Sequence, residues 1–280
     1  MNPDEPWLYH HQLTGSVYSE YYARLGGTLR ATLGLADHFV IRNHLGDVDH
    51  SPGFAAGLTM RPAPDWGLIA SAGQGTRFPT LSQLWSQNTG NRELRPEVAR
   101  RFEVGADWTP GRAARTELTL FWNELHDLID RDNRRAGRYY NIRGARSRGL
   151  ELDETVRPWD WLEIQASYTY TQAENRDTGQ ALDLVPEHKI DGRLTASAPG
   201  GDSRWTLIVT RVGSRFDSES LSADQALAAY TVADCLVASR LGRRWSLTLE
   251  VMNVGDVHYE EEVMYPAPGR TVLISAAVDL

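Results

Sequence analysis

An antiparallel transmembrane β-barrel is the fold class this sequence predicts. Three observations predict it: about thirteen segments alternate apolar with polar residues, their connections run short and long in turn, and tryptophans sit beside the short connections. The alternation is plain in Phe102, Val104, Ala106 and Trp108, which interleave with Arg101, Glu103, Gly105 and Asp107. Leu162, Ile164, Ala166, Tyr168 and Tyr170 interleave with Glu163, Gln165, Ser167, Thr169 and Thr171. Val272, Ile274, Ala276, Val278 and Leu280 alternate with Thr271, Ser275 and Asp279. A period of two sends one set to each face of a strand, and strands of this length suit a sheet between lipid and a wet interior.

The strands are predicted near 11–23, 28–42, 53–61, 66–75, 100–109, 115–128, 138–157, 160–173, 188–198, 203–212, 228–240, 244–253 and 270–280. Six short connections join them in pairs: residues 24–27, 62–65, 109–112, 157–160, 199–202 and 241–244. Each is rich in Gly, Pro or Asp, which supply the backbone angles of a tight reversal. The alternate connections, near 42–53, 75–100, 125–147, 172–189, 212–228 and 253–270, are long and polar. Outer-membrane barrels divide their periplasmic turns from their extracellular loops in this way. Trp66, Trp108, Trp159, Trp161, Trp205 and Trp245 lie next to the short turns, where a headgroup layer accommodates both indole ring and N–H. Trp161 shares its parity with Glu163 and Gln165, which turns it inward.

Composition narrows the function. At 280 residues the chain is one large all-β domain or two ordinary ones. Hydrophobic residues make up 41% and no apolar run approaches eighteen residues, which excludes a helical membrane span. The net charge of -8, with no basic stripe, argues against a nucleic-acid partner. A single cysteine, Cys235, rules out an internal disulfide framework and a thiolate metal cluster. Residues 1–6, MNPDEP, lack the basic start and apolar core of a signal peptide. With no solenoid repeat and no low-complexity linker, residues 1–280 read as one domain. An odd strand number and a missing export signal lead to the expectation that this is the C-terminal part of something larger.

Several segments, in order, resemble the C-terminal barrel of TonB-dependent outer-membrane receptors, the vitamin B12 and siderophore uptake family. The most specific is Gly75-Thr76-Arg77-Phe78-Pro79-Thr80-Leu81-Ser82-Gln83-Leu84, followed by Gly90-Asn91-Arg92-Glu93-Leu94-Arg95-Pro96-Glu97. Asn141, the Arg148-Gly149-Leu150-Glu151 strand start, Tyr168-Thr169-Tyr170-Thr171 and Pro186-Glu187-His188 come next. Asn253-Val254-Gly255-Asp256 with Tyr259, then Tyr265-Pro266-Ala267-Pro268-Gly269-Arg270, is similar to the family's ending. The chain departs from the family pattern at Arg77-Phe78-Pro79, where Phe-Arg-Ala-Pro is more usual, and at Leu280, where a terminal aromatic is usual. The latter puts recognition by the barrel-insertion machinery in question.

The resemblance implies a 22-stranded barrel filled by an N-terminal plug, of which this chain supplies the C-terminal strands. Plug, TonB box and about nine strands are then expected to lie outside residues 1–280, so that TonB is reached only through a plug absent here. It implies a Gram-negative outer-membrane location, outer-membrane lipid as surroundings, a ferric siderophore or cobalamin as ligand, no resident cofactor and no catalysis. A plugless remnant without transport activity is the alternative.

Arg77, Pro79, Pro96, Glu97, Asn253, Tyr265, Pro268, Gly269 and Arg270 are read as structural motif residues. Prolines belong where strand pairing stops, and Arg77, Glu97 and Arg270 are placed in lumen-side ion pairs. The lumen face is predicted to carry Arg61, Arg101, Glu103, Asp107, Glu117, Glu151, Asp153, Asp191, Arg193 and Glu250. The loop residues suited to an amphipathic or anionic ligand are Trp85, Gln87, Asn88, Tyr139, Tyr140, Arg215, Phe216 and Tyr259.

Metal signals are weak. Asp47, Asp49 and His50 share a loop without EF-hand spacing, His10 and His11 are adjacent, and Gly73-x-Gly75 is a strand end. A competing reading, an outer-membrane hydrolase, rests on His126 with Asp127, Asp130 and Asp132; no Gly-x-Ser-x-Gly elbow accompanies them.

Overall fold

A computed structural model describes residues 10–42, 48–132, 137–217, 225–242 and 244–278. Its main feature is a 13-stranded antiparallel sheet. The first six strands are β1 (Gln12–Leu25), β2 (Leu29–Arg42), β3 (Val48–Ala63), β4 (Trp66–Arg77), β5 (Glu97–Trp108) and β6 (Ala114–His126), with a one-turn helix α1 (Leu81–Trp85) after β4. A small hairpin of β7 (Ile129–Asp132) and β8 (Arg138–Asn141) precedes β9 (Gly144–Trp159), β10 (Leu162–Asn175), β11 (His188–Ser197) and β12 (Ser203–Val212). A second hairpin pairs β13 (Arg215–Asp217) with β14 (Gln225–Leu227), and β15 (Tyr230–Leu241) and β16 (Trp245–Met252) follow. The third hairpin, β17 (Glu260–Glu262) with β18 (Tyr265–Pro266), leads into β19 (Thr271–Val278). Sheet order is β1-β2-β3-β4-β5-β6-β9-β10-β11-β12-β15-β16-β19, so each long strand pairs with its sequence neighbours among the long strands.

All thirteen predicted long strands are present. The segment predicted as one strand over 138–157 divides: β8 belongs to a loop hairpin, and Gly144, at φ 146, opens β9. A side chain at Gly144 would meet the carbonyl of Leu125, so the strand can begin there only with glycine. The tight turns use Gly26, Gly111, Gly200, Gly201 and Gly242, all at positive φ, as the turn chemistry requires. The helix and the three loop hairpins were not foreseen, because short elements inside polar loops carry no sustained periodicity.

Register sorts the side chains as the alternation demands. Leu68, Ala106, Leu118 and Leu152 follow one another across β4, β5, β6 and β9. Tyr168, Ile190 and Arg211 carry the same face onto β10, β11 and β12. The opposite face of β5, β6 and β9 carries the row Asp107, Glu117 and Asp153. This charged face encloses space: a cavity of about 480 Å³ is bounded by Arg157, Trp161, Glu163, Arg193, Arg204 and Thr206. Nine of the ten residues assigned to the lumen share that face by register, and the tenth, Arg61, lies in the bulge between Met60 and Ala63, where the register shifts. Trp161 lines the same cavity, as its parity requires.

The outer face keeps its apolar side chains uncovered. Leu33, Leu58, Val104, Leu120 and Ile274 are among many large hydrophobics that remain exposed. In water this would be untenable; in lipid such residues already meet an apolar solvent, and no second layer is needed. The buried hydrophobic cluster lies instead in the loops, where Leu84, Leu94 and Ile129 pack with Trp85 and Tyr139.

Candidate functional site

The long connections gather at one end of the sheet, and two loop assemblies there place every candidate residue. The first begins at the top of β4. Thr80 caps α1: its side chain accepts from the Gln83 amide while Gln83 Oε1 accepts from the Thr80 amide. That reciprocal pair satisfies two helix-end donors and is legible in the sequence as T-x-x-Q. Pro79, fully buried, ends the β4 ladder where pairing must stop.

Glu97, at 6% exposure, is the anchor of this assembly. It receives a bidentate contact from Arg77, with Nη2 to Oε1 at 2.5 Å, and its Oε1 also accepts from the Ile129 amide at 2.7 Å. One carboxylate thus ties β4, β5 and the β7–β8 hairpin together, and Arg77 and Glu97, both expected in lumen-side ion pairs, pair with each other. Pro96 directly precedes it, at the point where β5 begins.

Asn141 adds a second clamp, accepting from the Arg95 amide at 2.9 Å and donating to the carbonyls of Arg95 and Asp127. Asn91 donates to the Tyr139 carbonyl at 3.0 Å, and Arg95 pairs with Asp127 at 2.5 Å.

Trp85 closes the loop as the middle of a sandwich. His10 stacks on it at 3.9 Å, and the Arg92 guanidinium lies 4.0 Å from its ring centroid. Asn88 and Gln87 are exposed beside it, Tyr139 packs into the cluster, and the Tyr140 hydroxyl lies 3.5 Å from Asp130. Sequence reasoning assigned Trp85 to ligand contact, named His10 only as a weak metal signal and Arg92 only within the loop motif, and joined neither to Trp85, because that contact depends on the loop's path rather than on any spacing.

The second assembly centres on Arg215, at 5% exposure. Its Nη2 donates to the carbonyls of Glu260 and Glu261 at 2.9 and 2.7 Å, linking the β13–β14 hairpin to β17. Its guanidinium lies 5.5 Å from the Tyr230 ring, and Tyr230 stacks on Tyr259 at 4.1 Å. Arg215 Nη1 is buried with no hydrogen-bond partner among the described residues. Burial pushes the Tyr259 hydroxyl above the ordinary tyrosine range, with Tyr230 adding to the shift. Phe216 is exposed on β13, opposite Ala226.

Asn253 organises the last loop from φ 48, a left-handed conformation that asparagine tolerates. Its Oδ1 accepts from Val257, its Nδ2 donates to the carbonyls of Val257 and Pro268, and its amide donates to Asp234. Asp256 accepts from the Arg270 amide at 2.8 Å, which holds its carboxyl below the ordinary aspartate range. Arg270 Nε donates to the Val254 carbonyl and so supports the loop backbone, and among the described residues it makes no ion pair. Tyr265, Pro268 and Gly269 are exposed along the same loop.

The first and second assemblies sit on different loops, with Trp85, Asn88, Tyr139 and Tyr140 in one and Arg215 and Tyr259 in the other. His126, Asp127 and Asp130 do not converge. His126 faces outward with its Nε2 3.7 Å from Glu124, Asp127 is held by Arg95, and Asp130 faces Tyr140. The side chain of Asp132 and residue Asp47 lie outside the described residues, as do Leu280 and residues 1–6. Asp49 pairs with Arg42 at 2.5 Å and His50 with Asp37 at 2.8 Å, and among the described residues no group of three metal-ligating side chains assembles.

Comparison with known proteins agrees with this geometry. The family described as "TonB dependent receptor-like, beta-barrel" matches residues 3–254. The vitamin B12 transporter BtuB of Vibrio vulnificus is 25% identical over 208 residues, covering 73% of this chain and 32% of that protein. The iron-regulated outer membrane virulence protein of Vibrio cholerae is 24% identical over 237 residues, covering 78% of this chain and 34% of that protein. The chain therefore spans about a third of the length of these relatives. Among solved structures, the copper transporter OprC superposes with TM-score 0.83 at 18% identity, over 96% of this chain and 48% of that one. The ferric enterobactin receptor PfeA of Pseudomonas aeruginosa gives TM-score 0.81 at 21% identity, over 95% and 45%.

Proposed function

The chain belongs to the TonB-dependent receptor-like β-barrel family, and from that membership we propose that it forms barrel wall and ligand-contacting loops of a receptor for a bulky, scarce nutrient. Members are outer-membrane proteins of Gram-negative bacteria, and this chain is one of them. The proposed cargo is a ferric siderophore or vitamin B12, the classes that relatives' names indicate. Residues 1–280 act as one barrel unit within a larger receptor; the open β1 and β19 edges of the sheet support this, since lipid-facing backbone needs partners. Coupling to TonB and uptake belong to the plug-bearing whole. The transporter family favours a non-enzymatic role, binding followed by a gated movement.

The observation that carries the reading is the first loop assembly: a loop with its own cap, core and carboxylate anchor, presenting an aromatic ring beside a cation above a charged interior. Such a surface is held rigid for recognition. Trp85, Asn88, Tyr139 and Tyr140 form one contact area, and Tyr259, stacked on the Tyr230 ring that the buried Arg215 faces, forms a second in which Arg215 supports rather than touches the ligand. The test is calorimetric titration of the detergent-solubilised protein with a ferric catecholate siderophore and with cyanocobalamin. One of the two is expected to bind at micromolar affinity or better, and Trp85→Ala to weaken it by roughly tenfold. Absence of binding by either ligand class would overturn the assignment.

A further inference from the structure

The outer wall carries a feature that nutrient uptake does not use. At the loop-facing ends of β5, β6, β9 and β10, the lipid-facing register rows cease to be apolar. Val104, Leu120, Leu150 and Tyr170 form one row; the next toward the loops is Phe102, Trp122, Arg148 and Gln172; the one beyond is Arg100, Glu124, Arg146 and Glu174. The apolar band therefore gives way to aromatic rings and then to arginines within two register steps.

The three arginines are not equivalent. Arg146 is neutralised between Glu124 at 3.6 Å and Glu174 at 3.3 Å, with its guanidinium 4.9 Å from the Trp122 ring. Arg100 and Arg148 are each held by a neutral amide instead: Arg100 Nε donates to Gln74 at 2.9 Å, and Arg148 Nε donates to Gln172 at 3.1 Å. The guanidinium of Arg148 also lies 5.7 Å from Trp122. Both side chains are exposed, and neither makes an ion pair among the described residues. Each is thus oriented through Nε, and its Nη fork has no hydrogen-bond partner among the described residues. By the spacings of an antiparallel sheet, the two stand about 12 Å apart on the wall.

A positive charge facing lipid is costly unless it reaches an anionic partner at the membrane surface. A glutamine that fixes Nε without neutralising the charge leaves the fork geometry suited to a bidentate phosphate contact. We propose that Arg100 and Arg148, flanking Trp122, form a docking surface for the phosphate groups of a lipid in the outer leaflet. The lipid's acyl chains would lie along the apolar rows below, with which the surface is continuous. A lipid phosphate is favoured over a soluble one because the arginines face outward, away from the enclosed interior and from both loop assemblies.

The experiment titrates the protein, purified in neutral detergent, with a bis-phosphorylated glucosamine lipid, its dephosphorylated counterpart and inorganic phosphate. Bound lipid is counted by native mass spectrometry. The phosphorylated lipid is expected to bind at least tenfold more tightly than the dephosphorylated one. The pair Arg100→Gln with Arg148→Gln is expected to erase that difference, while Arg193→Gln with Arg204→Gln, on the enclosed face, preserves it. Equal binding of the two lipids to the unaltered protein would overturn the proposal whatever the variants do. So would full displacement by millimolar inorganic phosphate, which would assign the site to soluble anions, or an undiminished preference in the Arg100/Arg148 variant.

Discussion

Asn253 illustrates how single residues settle the loop end. It combines a left-handed backbone with three side-chain hydrogen bonds, and the two contributions separate by substitution. Glycine keeps the backbone free to adopt φ 48 and loses only the side-chain bonds; alanine loses both. Asn253→Ala is therefore expected to destabilise the folded protein by about 1 kcal/mol more than Asn253→Gly. Urea unfolding in lipid vesicles measures the difference, and equal losses would mean that the bonds alone explain the asparagine. Glu97 shows the complementary case, a carboxylate whose burial is tolerable because the Arg77 guanidinium, through two nitrogens, and the Ile129 amide all donate to it. The sequence marks Arg77 and Glu97 as residues of lumen-side ion pairs without saying which partner each takes, and the amide of Ile129 comes from a hairpin that no motif announces.

Strands behave as their alternation requires, and the two faces should respond differently to charge. Leu120 and Thr119 are neighbours in β6, and Leu120 pairs with Val104 and Leu150 on the outer face. Leu120→Arg is expected to cost about 2–4 kcal/mol, as for an arginine near the bilayer midplane, and Thr119→Arg much less. Refolding into phospholipid vesicles followed by denaturant titration would show it; similar losses at both positions would contradict the assignment of faces. The short turns were legible because Gly, Pro and Asp are needed at fixed backbone angles. The hairpins β7–β8, β13–β14 and β17–β18 were not, since two to four residues are too few for a period to register.

For the whole molecule, the dominant fact is that among the described residues no second layer covers the apolar face of the sheet. Thirteen strands with one charged and one apolar face have no water-soluble arrangement without a second layer. The protein comprising residues 1–280 is accordingly expected to aggregate when detergent is removed, by analytical ultracentrifugation. A monodisperse detergent-free monomer would sink the lipid-facing assignment of the outer wall.

The sequence by itself determined the class of fold, the strand order and which side chains face the enclosed interior, because a period of two leaves no freedom once one face must meet lipid. It also marked the motif residues of the loops, through their resemblance to the family's loop segments and because prolines belong where strand pairing stops. Only the tertiary structure decided which loop residues meet. Arg92 and His10 converge on Trp85 from opposite sides, Arg215 reaches carbonyls 45 and 46 residues away, and Arg100 and Arg148 take Gln74 and Gln172 as partners for Nε. Those contacts depend on where irregular chain passes in space, and irregular chain has no period from which its path can be read.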